Sequence, residues 1–249
     1  MDTVFQHLLR FIDQDGNTRY GEAGSTTDPA ELVGASIQIF EGSEPWDSGF
    51  RASSTHKVVK EVLSPLQTTP IFYCVGLNYR KHIEETGGEF CVIIGRPCKD
   101  LDSSQDVRPY ILGYTVGNDV SCRYWQQRAG APYSKSFDQF GPIGPVIASA
   151  KVVGDPGNLH LTTKVNGETR QDASTADFLF NVDEIIKFLS RGRTLAPGTV
   201  IMTGTPSGIG MAKNPPVWIK DGDVVEVEIE KVGIIRNKFV VPLQREVRL

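Results

Sequence analysis

Residues 88–119 read GEFCVIIGRPCKDLDSSQDVRPYILGYTVGND. Two apolar, β-branched runs, GEFCVIIG and ILGYTVGND, are separated by a polar, proline-containing stretch, the pattern of two buried strands joined by a loop. Each strand carries one acid at an end, Glu89 opening the first and Asp119 closing the second. The same grammar runs along the chain. Its 25 glycines and 15 prolines punctuate short apolar runs, which predicts a β-rich fold with few helices.

Working outward, LLRFID and DGNTRYGE form a predicted hairpin with Asp15-Gly16 at the turn. LVGASIQIF (32–40) reads as a further strand, and PWDSGFRASSTHK (45–57), polar and glycine-containing, as a linker. The apolar IFYCVGLNY ends in a Gly-Leu-Asn loop with no chemistry of its own. The clearest helix is 182–190: Asn181 and Glu184 make a capping-box pair, Val182, Ile185, Ile186 and Leu189 recur at helical spacing, and Gly192 follows as a stop. LAPGTVIMTGTPSGIG reads as a Pro-Gly turn, a short buried strand and a glycine-rich loop. Val225, Val227 and Ile229 alternate with Glu226, Glu228 and Glu230, a half-buried strand with a solvated acidic face.

At 249 residues the chain suits one larger domain or a small plus a larger one, divided at 1–69 and 70–249. Its 39% hydrophobic and 22% charged residues are ordinary for a globular protein. Twenty-six basic and 30 acidic residues give a net charge of −4, no electrostatic reason to expect nucleic acid or an anionic membrane. No apolar run is long enough for a bilayer, and the first residues lack a signal peptide's basic flank and apolar core, so the expected location is cytoplasmic. The four cysteines, Cys74, Cys91, Cys98 and Cys122, form no C-x-x-C pair, which disfavours thiolate-bound zinc. Cys74 and Cys91, in apolar strand-like runs, read as buried inert thiols, and disulfides are not expected in that compartment.

Glu89 and Asp119, on adjacent strand ends, can begin a magnesium site or simply be exposed strand-end acids. A strand often supplies two ligands at i and i+2, but two residues before Glu89 stands Gly87, with no side chain. His82 and Glu85 share a face if RKHIEETG is helical, the arrangement of a general base with its orienting carboxylate, or of a chance surface pair. Lys135 can stabilise a developing enolate or be a solvated loop lysine. Arg123 and Gln126 follow Asp119 by four and seven residues, and Arg123 can bind a carboxylate bidentately or form a structural ion pair. TGTPSGIG (203–210) can offer backbone N–H groups and the Thr205 hydroxyl to an anion, but it lacks the lysine of a phosphate-binding loop. No Ser/His/Asp arrangement is readable.

Taken in order, VGLNYRKHIEETG, EFCVIIGRP, LGYTVGNDVSCRYWQ, KSFDQFGPIGP, LAPGTVIMTGTPSGIG and GDVVEVEIEKVGIIRN resemble the fumarylacetoacetate hydrolase family over most of residues 70–240. The resemblance implies a β-rich α+β fold, a mixed β-sheet roll of that family's C-terminal type with a small N-terminal domain. It implies a Mg2+ (or Ca2+/Mn2+) site with Glu89 and Asp119 as metal ligands. By the same resemblance His82 and Glu85 form a water-activating dyad on a lid, Lys135 is an active-site lysine, and Arg123, Gln126 and Thr205 are substrate-side positions. A homodimer acting on a small-molecule oxo acid follows from it too, by C–C hydrolysis, decarboxylation or tautomerisation through a metal-stabilised enolate. The YWQ after Arg123 and the EFCVIIG strand lean towards the short oxaloacetate- and diacid-handling members. The chain departs from the pattern after Gly87: members have a longer connection there, ending in a Glu-x-Glu pair whose first glutamate is absent here. The alternative to an enzyme is therefore a catalytically impaired relative, a binding or assembly subunit that keeps the fold without the full ligand set.

Overall fold

The first turn is built as its residues dictate. Strand β1 (His7–Asp13) ends at Asp13, whose carbonyl accepts from Gly16 N at 3.0 Å and whose Oδ1 accepts from Asn17 N at 2.8 Å. Gly16 takes φ +83°, a conformation glycine adopts without steric cost, and β2 (Thr18–Glu22) returns antiparallel. The short α1 (Pro29–Leu32) is capped by Asp28, whose Oδ1 accepts from Ala30 N at 2.9 Å. Strand β3 (Ser36–Glu41) and the twelve-residue β4 (Arg51–Val62) follow. β2 pairs with both β1 and β3, and β4 with both β3 and β1, so the four strands close on themselves. The computed structural model describes residues 3–76, 78–79, 87–208 and 210–240.

β4 corrects the linker expected over 45–57 from residue 51 onward. Ladder hydrogen bonds use the backbone, so a polar stretch forms a strand wherever partners are offered on both sides. Here β3 and β1 offer them, and of the twelve residues of β4 only Val59 is fully buried.

The rest of the chain contributes β5 (Phe72–Cys74), β6 (Gly88–Ile94), β7 (Ile111–Asn118), α2 (Arg123–Ser134), β8 (Ile143–Ala148), α3 (Ala150–Val153), β9 (His160–Val165), β10 (Glu168–Ser174), α4 (Val182–Ser190), β11 (Val200–Met202), β12 (Val224–Ile229) and β13 (Gly233–Lys238). One sheet has nine strands in the order β2-β3-β4-β1-β8-β7-β6-β11-β5, with β11 and β5 parallel and the other pairs antiparallel. The start of β1 joins it directly, His7 to Leu9 pairing with Ala148 to Val146 of β8. The second sheet, β10-β9-β12-β13, is antiparallel throughout. This is the β-rich α+β roll with a mixed sheet expected from the sequence.

The strand β6 is buried on both faces, which explains the apolar run from Phe90 to Ile94. Alternate side chains divide between two cores. Phe90, Val92 and Ile94 pack with Leu161, Val227 and Ile186 of the second sheet and α4, whereas Cys91 and Ile93 pack with Leu8, Phe40 and Met202. Glu89 shares the parity of Cys91. Helix α4 forms over the predicted 182–190, with Glu184 N donating to Asn181 Oδ1 at 3.0 Å and Asn181 N to Glu184 Oε2 at 2.8 Å. The acidic strand also matches its reading: Val225, Val227 and Ile229 are buried and Glu228 is exposed. All four cysteines are free thiols; Cys91 is buried as expected, but Cys74, on the edge strand β5, is exposed. No helix among the described residues is long and apolar enough to cross a membrane.

Candidate active site

The antiparallel register of β6 and β7 sets Gly88 opposite Asn118 and Glu89 opposite Gly117, which brings Asp119 to the start of β6. Asp119 N donates to Gly87 O at 3.0 Å. Both acids are inside the protein: Glu89 is 1% and Asp119 5% exposed, so neither is a solvated strand-end residue. Gly204 N donates to Glu89 Oε2 at 2.9 Å. Burial, reinforced by the neighbouring Asp119 charge, pushes the Glu89 carboxyl well above its usual range, while the Gly204 N–H and Lys135 pull the other way.

Lys135 arrives through α2. The chain leaves β7, turns at Cys122 and starts the helix at Arg123; Gly130, at φ +85°, kinks it, and Lys135 caps its end. Lys135 Nζ donates to Asp119 Oδ2. At the other end of α2, Arg123 Nη1 donates to Gln126 Oε1, and both residues are half-buried. Thus Asp119, Lys135, Arg123 and Gln126 belong to one strand–helix unit that begins beside Glu89. Thr205 is buried, its hydroxyl accepting from Gln171 Nε2 at 2.8 Å and donating to Gly88 O at 3.0 Å. His82 and Glu85 lie outside the described residues.

Two buried amides were missed in the sequence. Asn78, in what reads as a plain loop, donates from Nδ2 to Thr203 O at 2.8 Å and Phe180 O at 3.0 Å, and accepts from Phe180 N at 2.8 Å. It ties the loop after β5 to the approach of α4 and to the strand end beside Gly204. Gln171, in β10, accepts at Oε1 from Gly88 N at 3.0 Å and donates to Pro206 O at 2.7 Å. For Gln171 the available signal was an uncharged amide inside a strand, which is too common to be diagnostic. Gly88 itself has no room for a side chain: an added Cβ would collide with Thr163 Oγ1 and lie 2.7 Å from Val227 Cγ1.

Two buried carboxylates facing a single lysine suit a cation, because a buried acid is costly to ionise unless it is paired or bound to metal. The donors are hard oxygens, as magnesium-like ions prefer, and such ions keep several waters. Among the described residues no cluster of three or more His, Cys, Asp or Glu side chains forms, and Gly87 offers only its backbone. Glu89 and Asp119 therefore fit a hard divalent ion, with fewer protein ligands than the family pattern implies.

A β-roll that buries an acid pair at one end of its sheet, with a half-buried lysine and the first residues of an arginine-bearing helix beside it, is the framework of an enzyme. Residues 85–240 match the fumarylacetoacetate (FAA) hydrolase C-terminal family model. The mitochondrial oxaloacetate tautomerase Fahd2a of Rattus norvegicus is 35% identical over 216 residues, covering 72% of this chain and 69% of that protein. The mitochondrial oxaloacetate tautomerase FAHD2A of Bos taurus is 42% identical over 155 residues, 61% of this chain but only 49%, about half, of the bovine protein. The crystal structure of 2-hydroxyhepta-2,4-diene-1,7-dioate isomerase from Mycobacterium marinum superposes with a TM-score of 0.78 at 28% identity, covering 96% of this chain and 100% of that one. The chain belongs to the fumarylacetoacetate hydrolase family and is one of its enzymes.

Proposed function

We propose that the protein acts on a small 2-oxo diacid of the oxaloacetate type, interconverting its keto and enol forms. The observation that carries this reading is the buried Glu89–Asp119 pair with the Lys135 ammonium on Asp119. Its relatives' names as oxaloacetate tautomerases and a hydroxy-dienedioate isomerase point the same way. Glu89 and Asp119 would hold a divalent cation (Mg2+, or Mn2+ or Ca2+), which when bound supplies Lewis-acid polarisation of a keto oxygen.

The chain's own groups then divide the work. Arg123, steadied by Gln126, receives a substrate carboxylate with its planar fork. Lys135 places positive charge where the enolate oxygen develops. His82, oriented by Glu85, takes the proton from the carbon beside the keto group; in a hydrolytic variant of the reaction it takes a proton from water instead. Thr205 completes the proposed set as a substrate-side residue. A homodimer, a cytoplasmic location and a division into residues 1–69 and 70–249 accompany the proposal.

A second reading is favoured by one observation, Gly87 in place of the first acid of a Glu-x-Glu pair. On it the chain keeps the fold as a binding or assembly subunit. Calorimetric titration with Mg2+, followed by assays of oxaloacetate tautomerisation and acylpyruvate cleavage, separates the two. Saturable binding with turnover supports the enzyme; neither binding nor turnover supports the subunit. His82→Ala should abolish turnover and leave cation binding in place.

A further inference from the structure

We infer that Gln171 is a positioning residue for Glu89, fixing the backbone on which that carboxylate is mounted. Gln171 is 2% exposed and lies in β10, where its pairing with β9 shifts register between Thr169 and Gln171. Its side chain crosses to the main sheet and uses every kind of bond an amide offers. Oε1 accepts from Gly88 N at 3.0 Å, and Nε2 donates to Thr205 Oγ1 at 2.8 Å and to Pro206 O at 2.7 Å. Thr205 Oγ1 passes the link on to Gly88 O at 3.0 Å. One amide thus holds the N–H of Gly88 directly and its carbonyl through Thr205.

These bonds converge on the residue before Glu89 and on the loop after Gly204, whose N–H holds Glu89 Oε2 at 2.9 Å. Both supports of the carboxylate, its peptide and its hydrogen-bond donor, are therefore tied to Gln171. The restraint has a reason in the sequence. Position 88 must be glycine because Thr163 and Val227 press against it, and a glycine peptide has the widest conformational freedom. Without a side chain to pack, hydrogen bonds to both of its polar groups set its orientation. A glutamate at 171 keeps the acceptor but loses both donors; a methionine keeps the shape and loses all three bonds.

The function of this brace rests on the cation reading of Glu89 and Asp119, whereas its geometry does not, and the two are tested apart. In the full chain, Gln171→Met and Gln171→Glu are compared with the unaltered protein by thermal melting, by hydrogen exchange at the Gly204 amide against amides in the middle of β6, and by calorimetric titration with Mn2+. In folded Gln171→Met, the Gly204 amide should exchange about five- to tenfold faster relative to the mid-β6 amides, the loss of about one hydrogen bond. The Mn2+ dissociation constant should rise about tenfold, as for other residues that orient metal ligands. Gln171→Glu should fall between, and it decides the matter if the methionine variant does not fold. Unchanged Gly204 exchange in a folded variant overturns the inference. Failure of the unaltered protein to bind Mn2+ instead overturns the cation reading, and Gly204 exchange alone then decides for Gln171.

Discussion

Lys135 Nζ is hydrogen-bonded to Asp119 Oδ2, and the two side chains are 16% and 4% exposed. The pair spans the turn after β7 and the whole of α2, so the helix cannot shift without disturbing the acid. Lysine here is the partner of a buried carboxylate, and in the proposed reaction it is the cation that meets the enolate oxygen.

Lys135→Met should therefore lower turnover of a 2-oxo diacid about 100-fold, the size of effect seen when one charge-stabilising donor is removed. The Michaelis constant should change less than kcat, because the lysine acts on charge that appears during the reaction. Steady-state kinetics on oxaloacetate check this; a loss confined to KM would place the lysine in substrate binding alone.

Ligand count predicts the response to metal. Chelation with EDTA should abolish turnover, with Mg2+ or Mn2+ restoring it. Gly87→Glu places a carboxylate two residues before Glu89, and should tighten Mg2+ binding about tenfold, since carboxylate charge and number set affinity in oxygen-ligand sites. Calorimetry on the two proteins measures the difference, and weaker binding in the variant would sink the ligand-count argument.

A separate ion-pair cluster joins the start of α1 to the second sheet. Arg236 bonds Asp28 Oδ1, and its Nε donates to Glu226 Oε1 at 2.6 Å. The bond from Arg236 holds the Asp28 carboxyl below its usual range. A carboxyl depressed in the folded state stabilises the fold above its unfolded pKa, and that contribution is lost as pH falls through the lower, folded value. Arg236→Met should thus cost about 0.5–1 kcal/mol at pH 7, a partly exposed pair's worth, and far less in acid, once Asp28 is protonated in the folded state as well. Urea unfolding at pH 7 and in acid tests the sign.

Close packing at Gly88 predicts that Gly88→Ala costs about 1–3 kcal/mol by overpacking against Val227 and Thr163. Asn181→Ala, which removes half of the α4 capping box, should cost about 1 kcal/mol. Chemical denaturation of both variants gives the comparison, and the alanine at 88 should also weaken cation binding where the cap variant does not.

Local chemistry was legible in the chain. The capping pair Asn181 and Glu184, the periodic Val182, Ile185 and Ile186, the Asp15-Gly16 turn and the alternation from Val225 to Ile229 all act over a few residues, and each formed where the sequence placed it. The same holds for β6 from Phe90 to Ile94, because a strand covered on both faces reads as a run of apolar residues. What reached beyond a few residues was not legible. β4 is polar because its faces are mostly exposed, so nothing in its composition marked it as a strand until β3 and β1 supplied partners. Cys74 looked buried by its neighbours' apolarity, yet an edge strand leaves it in the open. Glu89 and Asp119 were individually ambiguous; the β6–β7 register made them one buried pair, and the run of α2 put Lys135 upon it. Gln171 is 83 residues from Gly88 in sequence, and only the meeting of two sheets brings its amide to that peptide. The sequence by itself determined the apolar and alternating strands, the first turn, helix α4 and the family, because those depend on neighbours along the chain. Burial, charge pairing and the bracing of the site were decided by tertiary structure, because they depend on partners the chain supplies from far away.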